Sequence, residues 1–275
     1  MPTQKSGSGP SFRRQIAPFA PVALALAMNI AAKPSTPGTA ATATAGTFSP
    51  ECTLPFAGVR NPPADDHCGI AGGSSDPAKQ AESMAKNNFC AKAQSPRVIT
   101  YQELVSLQSQ SANIPKKLPD RTVVRNLGEG QYVSYVAFIK NAHYSDVAAG
   151  EAVNCNIPGD ATNDIHIVLL KDPTDDECLS TTAEMSPHYR PPDWTDKNLM
   201  TASAGHPVRV RGQLFFDGSH TPCSGSSSPN PKRASLWEIH PVYSVDVCTQ
   251  TTIAECQGST VEWTPLSKVF SSEGQ

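Results

Sequence analysis

Asp164 and His166 stand two residues apart, and so do Glu238 and His240. Residues i and i+2 of a β-strand project from the same face, so each pair sets an acid beside an imidazole. Asp217 and His220 follow the same pairing at the end of an apolar run. Glu184 and His188 fall in a stretch read as a proline-containing loop, and Arg233 precedes the last apolar run. Carboxylate and imidazole together can ligate a divalent metal, or the acid can orient the histidine as a general base. Arg233 adds a planar fork suited to an oxyanion. The candidate catalytic residues are therefore His240, Glu238 and Arg233, and the candidate metal ligands Asp164, His166 and Glu238. Further candidates for ligand contact are His188, Asp217, His220 and Trp194, the last as a stacking platform beside Pro191 and Pro192.

Each of these residues also has a plainer reading. A histidine at a strand end commonly makes one hydrogen bond and nothing else. Polar residues alternating along the last run are what a solvated sheet face looks like. Arg209 and Arg211 read as such a face, Trp237 as core, and Trp194 as a loop anchor. Common catalytic signatures are missing: the sequence has no G-x-S-x-G, no H-E-x-x-H and no P-loop. Gly128-Glu129-Gly130 lacks the rest of a dinucleotide fingerprint.

The positioning elements are mostly strands. Tyr132 to Ile139, Ile165 to Leu170, Val208 to Phe216 and Ser235 to Cys248 carry the apolar runs, with a bulge or break expected at Pro241. A helix from Asp193 to Met200, stopped by Gly205, separates the second and third runs. Ahead of the strands, Asp76 and Pro77 open one helix, with a Glu82–Lys86 pair, and Thr100 to Glu103 forms a capping box for another. Strands, a helix and a return to strands fit an OB-like five-stranded barrel better than a sandwich of about seven strands. The expected class is mainly β with a few helices: a barrel over 121–250, a small cysteine-containing helical appendage over 51–120 tied by disulfides, and a tail over 251–275.

Residues 1–32 read as a secretory signal: Lys5, Arg13 and Arg14 precede the apolar run Ile16 to Ala32. That run is short for a membrane span and is interrupted by Pro18 and Pro21, so no span is expected after its removal. Residues 33–50 have flexible-linker composition. All eight cysteines lie beyond the signal, and no C-x-x-C occurs. Outside the cytosol an even number reads as a disulfide framework. Cys248–Cys256, at a hairpin-like end, and Cys155–Cys178, flanking a strand, are the expected local bridges among 105 arrangements. Removing residues 1–32 takes away three basic groups and no acids, leaving 19 basic against 25 acidic groups and a net charge of −6. That sign disfavours non-specific nucleic-acid binding.

Several stretches together resemble a group of uncharacterised exported bacterial proteins. They are Asn163-Asp164-Ile165-His166-Ile167 with Asn154 upstream, Ser186 to Pro191, Val208 to Asp217, and Arg233-Ala234-Ser235-Leu236-Trp237-Glu238-Ile239-His240-Pro241. Lys86 to Cys90 fits as well. The resemblance spans about residues 51–250 and is most specific at R-x-S-L-W-E-I-H-P. It implies an OB-like barrel and export, and no activity.

Three functions remain open on the sequence. One is a periplasmic or secreted binding domain for a small anionic, saccharide or metal ligand. Another is a metal-dependent phosphodiester hydrolase: Asp164, His166 and Glu238 would hold the metal, His240 would act as base and Arg233 would hold developing charge. The third is a structural envelope protein. A divalent metal is the only cofactor suggested. All the site readings require the named groups to converge at one rim of the barrel.

Overall fold

The computed structural model describes residues 69–88, 95–188, 190–225 and 227–271. The signal and linker expectations, 1–32 and 33–50, lie outside the described residues, as do Cys52, Cys68 and Cys90. In chain order the elements are α1 (Pro77–Lys86), β1 (Arg97–Val98), α2 (Tyr101–Gln110), α3 (Thr122–Leu127), β2 (Tyr132–Tyr144), β3 (Ile165–Leu170), β4 (Thr181–Met185), α4 (Asp196–Ala202), β5 (Val208–Phe216), β6 (Trp237–Cys248), α5 (Ile253–Cys256), β7 (Trp263–Pro265) and α6 (Leu266–Ser271).

Five strands close into a barrel in the order β2-β3-β4-β6-β5, and β5 pairs back onto β2. The β4–β6 pairing is parallel and the other four barrel pairings are antiparallel. With α4 between the third and fourth barrel strands, this is an OB barrel. Two short strands extend it: β1 runs parallel to β2, and β7 antiparallel to β6. Among the described residues no helix is long and apolar enough to cross a membrane.

The barrel closes because each strand turns apolar residues inward, where they bury together. Val133, Tyr135 and Ala137 from β2 meet Ile165, Ile167 and Leu169 from β3, Ala183 and Met185 from β4, Val208, Val210 and Leu214 from β5, and Ile239 and Val245 from β6. Register slips in two places. In β2 it shifts between Ile139 and Asn141, which turns Ala142 inward. In β5 and β6 it shifts around Gly212, opposite the chain at Pro241. A side chain at position 212 would lie 2.4 Å from the Pro241 carbonyl oxygen and 2.5 Å from Ile239, so only glycine fits that approach.

The helix starts follow local chemistry. The Asp76 carboxylate accepts from the Ala78 amide at 2.9 Å, and Thr100 with Glu103 forms the capping box. For α4 the cap is Thr195, whose hydroxyl accepts from the Asn198 amide at 3.1 Å, so the helix starts at Asp196 and not at Asp193. Beyond residue 250, β7 pairs with β6, and Leu266 is buried in the core.

Two disulfides join cysteines that both lie among the described residues. Cys248–Cys256 forms as expected. Cys178 pairs with Cys223, not with Cys155, which is itself disulfide-bonded. The loop between β5 and β6 folds back along the start of β4, where the Ala234 amide donates to the Ser180 carbonyl at 2.7 Å and the Ser180 hydroxyl to the Lys232 carbonyl at 3.2 Å. That return path brings the Cα atoms of Cys178 and Cys223 to 5.5 Å, inside the reach of a disulfide.

Candidate metal centre on the outer wall of the barrel

Strand alternation sends Ala183, Met185 and Ile239 into the core, so Glu184, Glu238 and His240 point the other way, out of the barrel. An outward residue of a small barrel normally meets water. Here all three are fully buried, because a roof of three segments covers this wall. Helix α1 lies across β5 and β6: the Gln213 amide donates to the Ala85 and His240 carbonyls, each at 2.8 Å, and Asn88 donates to the Gln213 amide oxygen at 2.6 Å. The loop after β2 brings Glu151, Asn154 and Asp164, and the loop after β5 brings Asp217, His220 and Arg233. OB barrels commonly bind oligomeric ligands on this wall and with these two loops. In this chain the wall is roofed over.

Under the roof lies a charged cluster. His240 Nδ1 is 2.7 Å from Glu184 Oε2 and 3.6 Å from Glu238 Oε1, and its Nε2 is 3.4 Å from Asp164 Oδ2. His166 Nε2 lies 3.2 Å from Glu184 Oε1 and 3.6 Å from Glu151 Oε1, and Lys86 Nζ is 3.5 Å from Glu184 Oε2. Arg233 Nη1 spans Asp217 Oδ2 at 3.2 Å and Glu238 Oε2 at 3.0 Å, while His220 Nδ1 contacts the same Asp217 oxygen. Asn154 steadies Asp164 through a 3.0 Å hydrogen bond. Next to the cluster, buried Arg121 is paired with Glu129 and donates to the Phe216 carbonyl, which pins the end of β5.

The convergence is real, but it sits on the barrel wall and not at the mouth expected from the sequence. It also overturns the solvated-face reading of β6. Glu184 is the hub, and sequence reasoning misplaced it: Thr181 to Met185 was read as loop and is strand β4. Thr-Thr-Ala-Glu-Met has no alternation, and all five residues are buried. A lone acid in such a run is the one local sign of an unusual role. Lys86, expected to pair with Glu82 along α1, also turns inward to Glu184, and its charge still acts on Glu82.

The remaining candidates divide. Trp194 is buried in the apolar core and offers no exposed ring, so it anchors its loop and is not a stacking platform. His188 is buried beyond the end of β4, where burial and then the Arg190 charge push its pKa down to about 4. Arg209 and Arg211 are half-buried and both bind Asp246, so they are not a freely solvated face.

Electrostatics follow from burial against neighbours. Burial alone would drive Glu184 up, yet His166, Lys86 and His240 hold its carboxyl well below the usual carboxylate range. Burial opposes protonation of His240, but Glu184, Glu238 and Asp164 outweigh it and raise the pKa to about 10. His166 rises to about 9 for the same reason, through Glu184 and Glu151. Asp164 is pushed up to about 7, by burial first and then by the charges of Glu151 and Glu184.

One oxygen each from Asp164 and Glu184 and one ring nitrogen of His240 lie within 4.8 Å of one another. Asp164 Oδ2, both Glu184 oxygens and both His240 nitrogens are buried, and none makes a hydrogen bond of good geometry. Buried polar atoms are normally hydrogen-bonded, and a proton held on His240 or a cation bound among these atoms would each satisfy them. A cleft of about 360 Å³ lies beside the cluster; Lys86, Glu151 and Ser219 line it, together with Lys79, Glu82 and Asp146. No family model, curated protein or solved structure matches this chain.

Proposed function

We propose that this chain is an exported OB domain that binds a divalent transition-metal ion, of the Zn²⁺ or Mn²⁺ kind, through Asp164, Glu184 and His240. The observation that carries this reading is the set of buried, hydrogen-bond-deficient ligand atoms gathered within 4.8 Å. Two carboxylates and one imidazole suit a borderline first-row ion, and three protein ligands leave a position for water. Compared with the ligands expected from the sequence, Glu184 and His240, the latter expected as a base, replace His166 and Glu238, which lie against them from outside. Export is supported by the Cys178–Cys223 and Cys248–Cys256 bridges and by the resemblance to exported proteins.

Anionic and saccharide ligands are less well served. The cleft sets Lys79 and Lys86 against Glu82, Asp146 and Glu151 and has no aromatic platform among its lining residues. The phosphodiesterase reading needs free cations for a phosphate, yet Lys86 and Arg233 are already bound to carboxylates. His240, Glu238 and Arg233 are fully buried and do not line the cleft, so they are poorly placed to touch a substrate.

The test is metal uptake by chelator-stripped protein, followed by calorimetry with ZnCl₂ and MnCl₂ and by elemental analysis after gel filtration. One equivalent is expected. His240→Gln and Asp164→Asn should lose it, while His206→Ala, at a half-buried histidine outside the cluster, should keep it. Uptake well below one equivalent by folded protein, or uptake unchanged in His240→Gln, would end the metal reading.

A further inference from the structure

A second trio shares Glu184 with the first: one oxygen each from Glu184, Asp217 and Glu238 also lies within 4.8 Å of the others. All three residues are fully buried. Three carboxylates so close would repel strongly in a medium of low dielectric constant unless a cation stood among them. That cation is part of the chain. Arg233 Nη1 reaches Asp217 Oδ2 at 3.2 Å and Glu238 Oε2 at 3.0 Å, and its side chain is 1 % exposed. Besides the two Glu184 oxygens, Glu238 Oε1 and Arg233 Nε are buried there without a hydrogen bond. The guanidinium therefore balances charge without saturating the trio.

We infer that Arg233 occupies, as a built-in cation, the position a second divalent ion would take, and so holds the centre to one metal. This rests in part on the metal reading of the neighbouring trio. The two positions would differ in taste. Asp164, Glu184 and His240 include an imidazole nitrogen, which suits Zn²⁺ or Mn²⁺. Glu184, Asp217 and Glu238 offer oxygen alone, which suits Mn²⁺, Mg²⁺ or Ca²⁺. Mn²⁺ is accepted by both ligand sets and serves as a single probe. Lys86, another buried cation of the cluster, lies 3.5 Å from Glu184 and feels the charges of Asp217 and Glu238 as well, whereas Arg233 makes direct contact with Asp217 and Glu238.

The experiment compares the full chain with Arg233→Ala and Arg233→Lys, each stripped with chelator and titrated with MnCl₂ in a calorimeter, with elemental analysis as a check. The expected counts are one Mn²⁺ for the unaltered protein, two for Arg233→Ala and one for Arg233→Lys, whose ammonium still fills the position. Should the unaltered protein bind none, the metal reading fails on its own, and a gain of one ion in Arg233→Ala would still uphold the role of Arg233. An Arg233→Ala protein that keeps a cooperative melt but gains no ion overturns the inference. If Arg233→Ala melts below room temperature when stripped, millimolar Mn²⁺ is expected to restore the melt, and failure to restore it counts against the inference equally.

Discussion

His240 Nδ1 and Glu184 Oε2 face each other at 2.7 Å across the parallel pair β6 and β4, the only parallel pair within the barrel, whose register sets Ala183 beside Ile239. The two residues follow those partners by one position each, so both turn outward at the same level. Parallel pairing thus places an acid and an imidazole from distant parts of the chain side by side, under a roof that keeps water away. Each functional consequence of the fold depends on this contact.

Glu184→Gln tests the hub. The change keeps size but removes the negative charge that His240, His166 and Lys86 share. Leaving those groups without a counter-charge in a buried site costs about 3–5 kcal/mol, read from denaturant unfolding of metal-free protein. Metal affinity should fall by more than about 100-fold, since even outer-shell changes cost 10- to 100-fold. A folded variant with unaltered stability and uptake would remove Glu184 from the centre.

Metal binding should strengthen with rising pH. His240 must lose a proton to ligate, and its pKa lies at about 10. Between about pH 7 and pH 9 affinity should climb by about tenfold per unit for each proton released. In the metal-free protein the sign reverses. His240 and His166 are raised to about 10 and about 9, from 6.5. Their stabilisation is complete below pH 6.5 and is lost as pH rises through 9 to 10. Calorimetry in buffers of different ionisation enthalpy reads the first effect and melting curves the second. A flat affinity profile would contradict His240 as ligand.

His188 gives the opposite slope. Its pKa falls to about 4 from 6.5, so the unfolded chain binds the extra proton between those values. Stability from this residue is present above pH 6.5 and disappears as pH drops through 4, by an amount on the order of 3 kcal/mol. His188→Leu should flatten the acid side of the stability curve. An unchanged slope would show that the ring is not held neutral.

The Cys178–Cys223 bridge anchors the loop that carries His220 and Arg233. Non-reducing digestion should release a linked peptide pair with that connectivity. The double change Cys178→Ser, Cys223→Ser removes this cross-link across a 45-residue separation and should cost about 2–4 kcal/mol. Recovery of a Cys155–Cys178 peptide would overturn the pairing.

Local chemistry wrote much of this protein into its sequence. The caps at Asp76 and Thr100, strand β3, most of β5 and the irregularity opposite Pro241 follow from residue types at short range. The same alternation marked Glu238 and His240 as facing together. It could not say that their face is buried, since a polar face under a roof and a polar face in water have the same pattern. Strand β4 escaped detection because buried strands lose alternation, and with it went the role of Glu184.

The sequence by itself determined which residues are apolar, where helices start, and that acids and imidazoles recur at strand spacing. Only the tertiary structure decided that α1 and two loops close over the wall between β4 and β6. Only there do Asp164, Glu184 and His240, separated by up to 76 positions in the chain, become neighbours. The reason is that proximity across a parallel strand pair depends on barrel closure and register. Both are set by the packing of the whole core and by no short stretch of it.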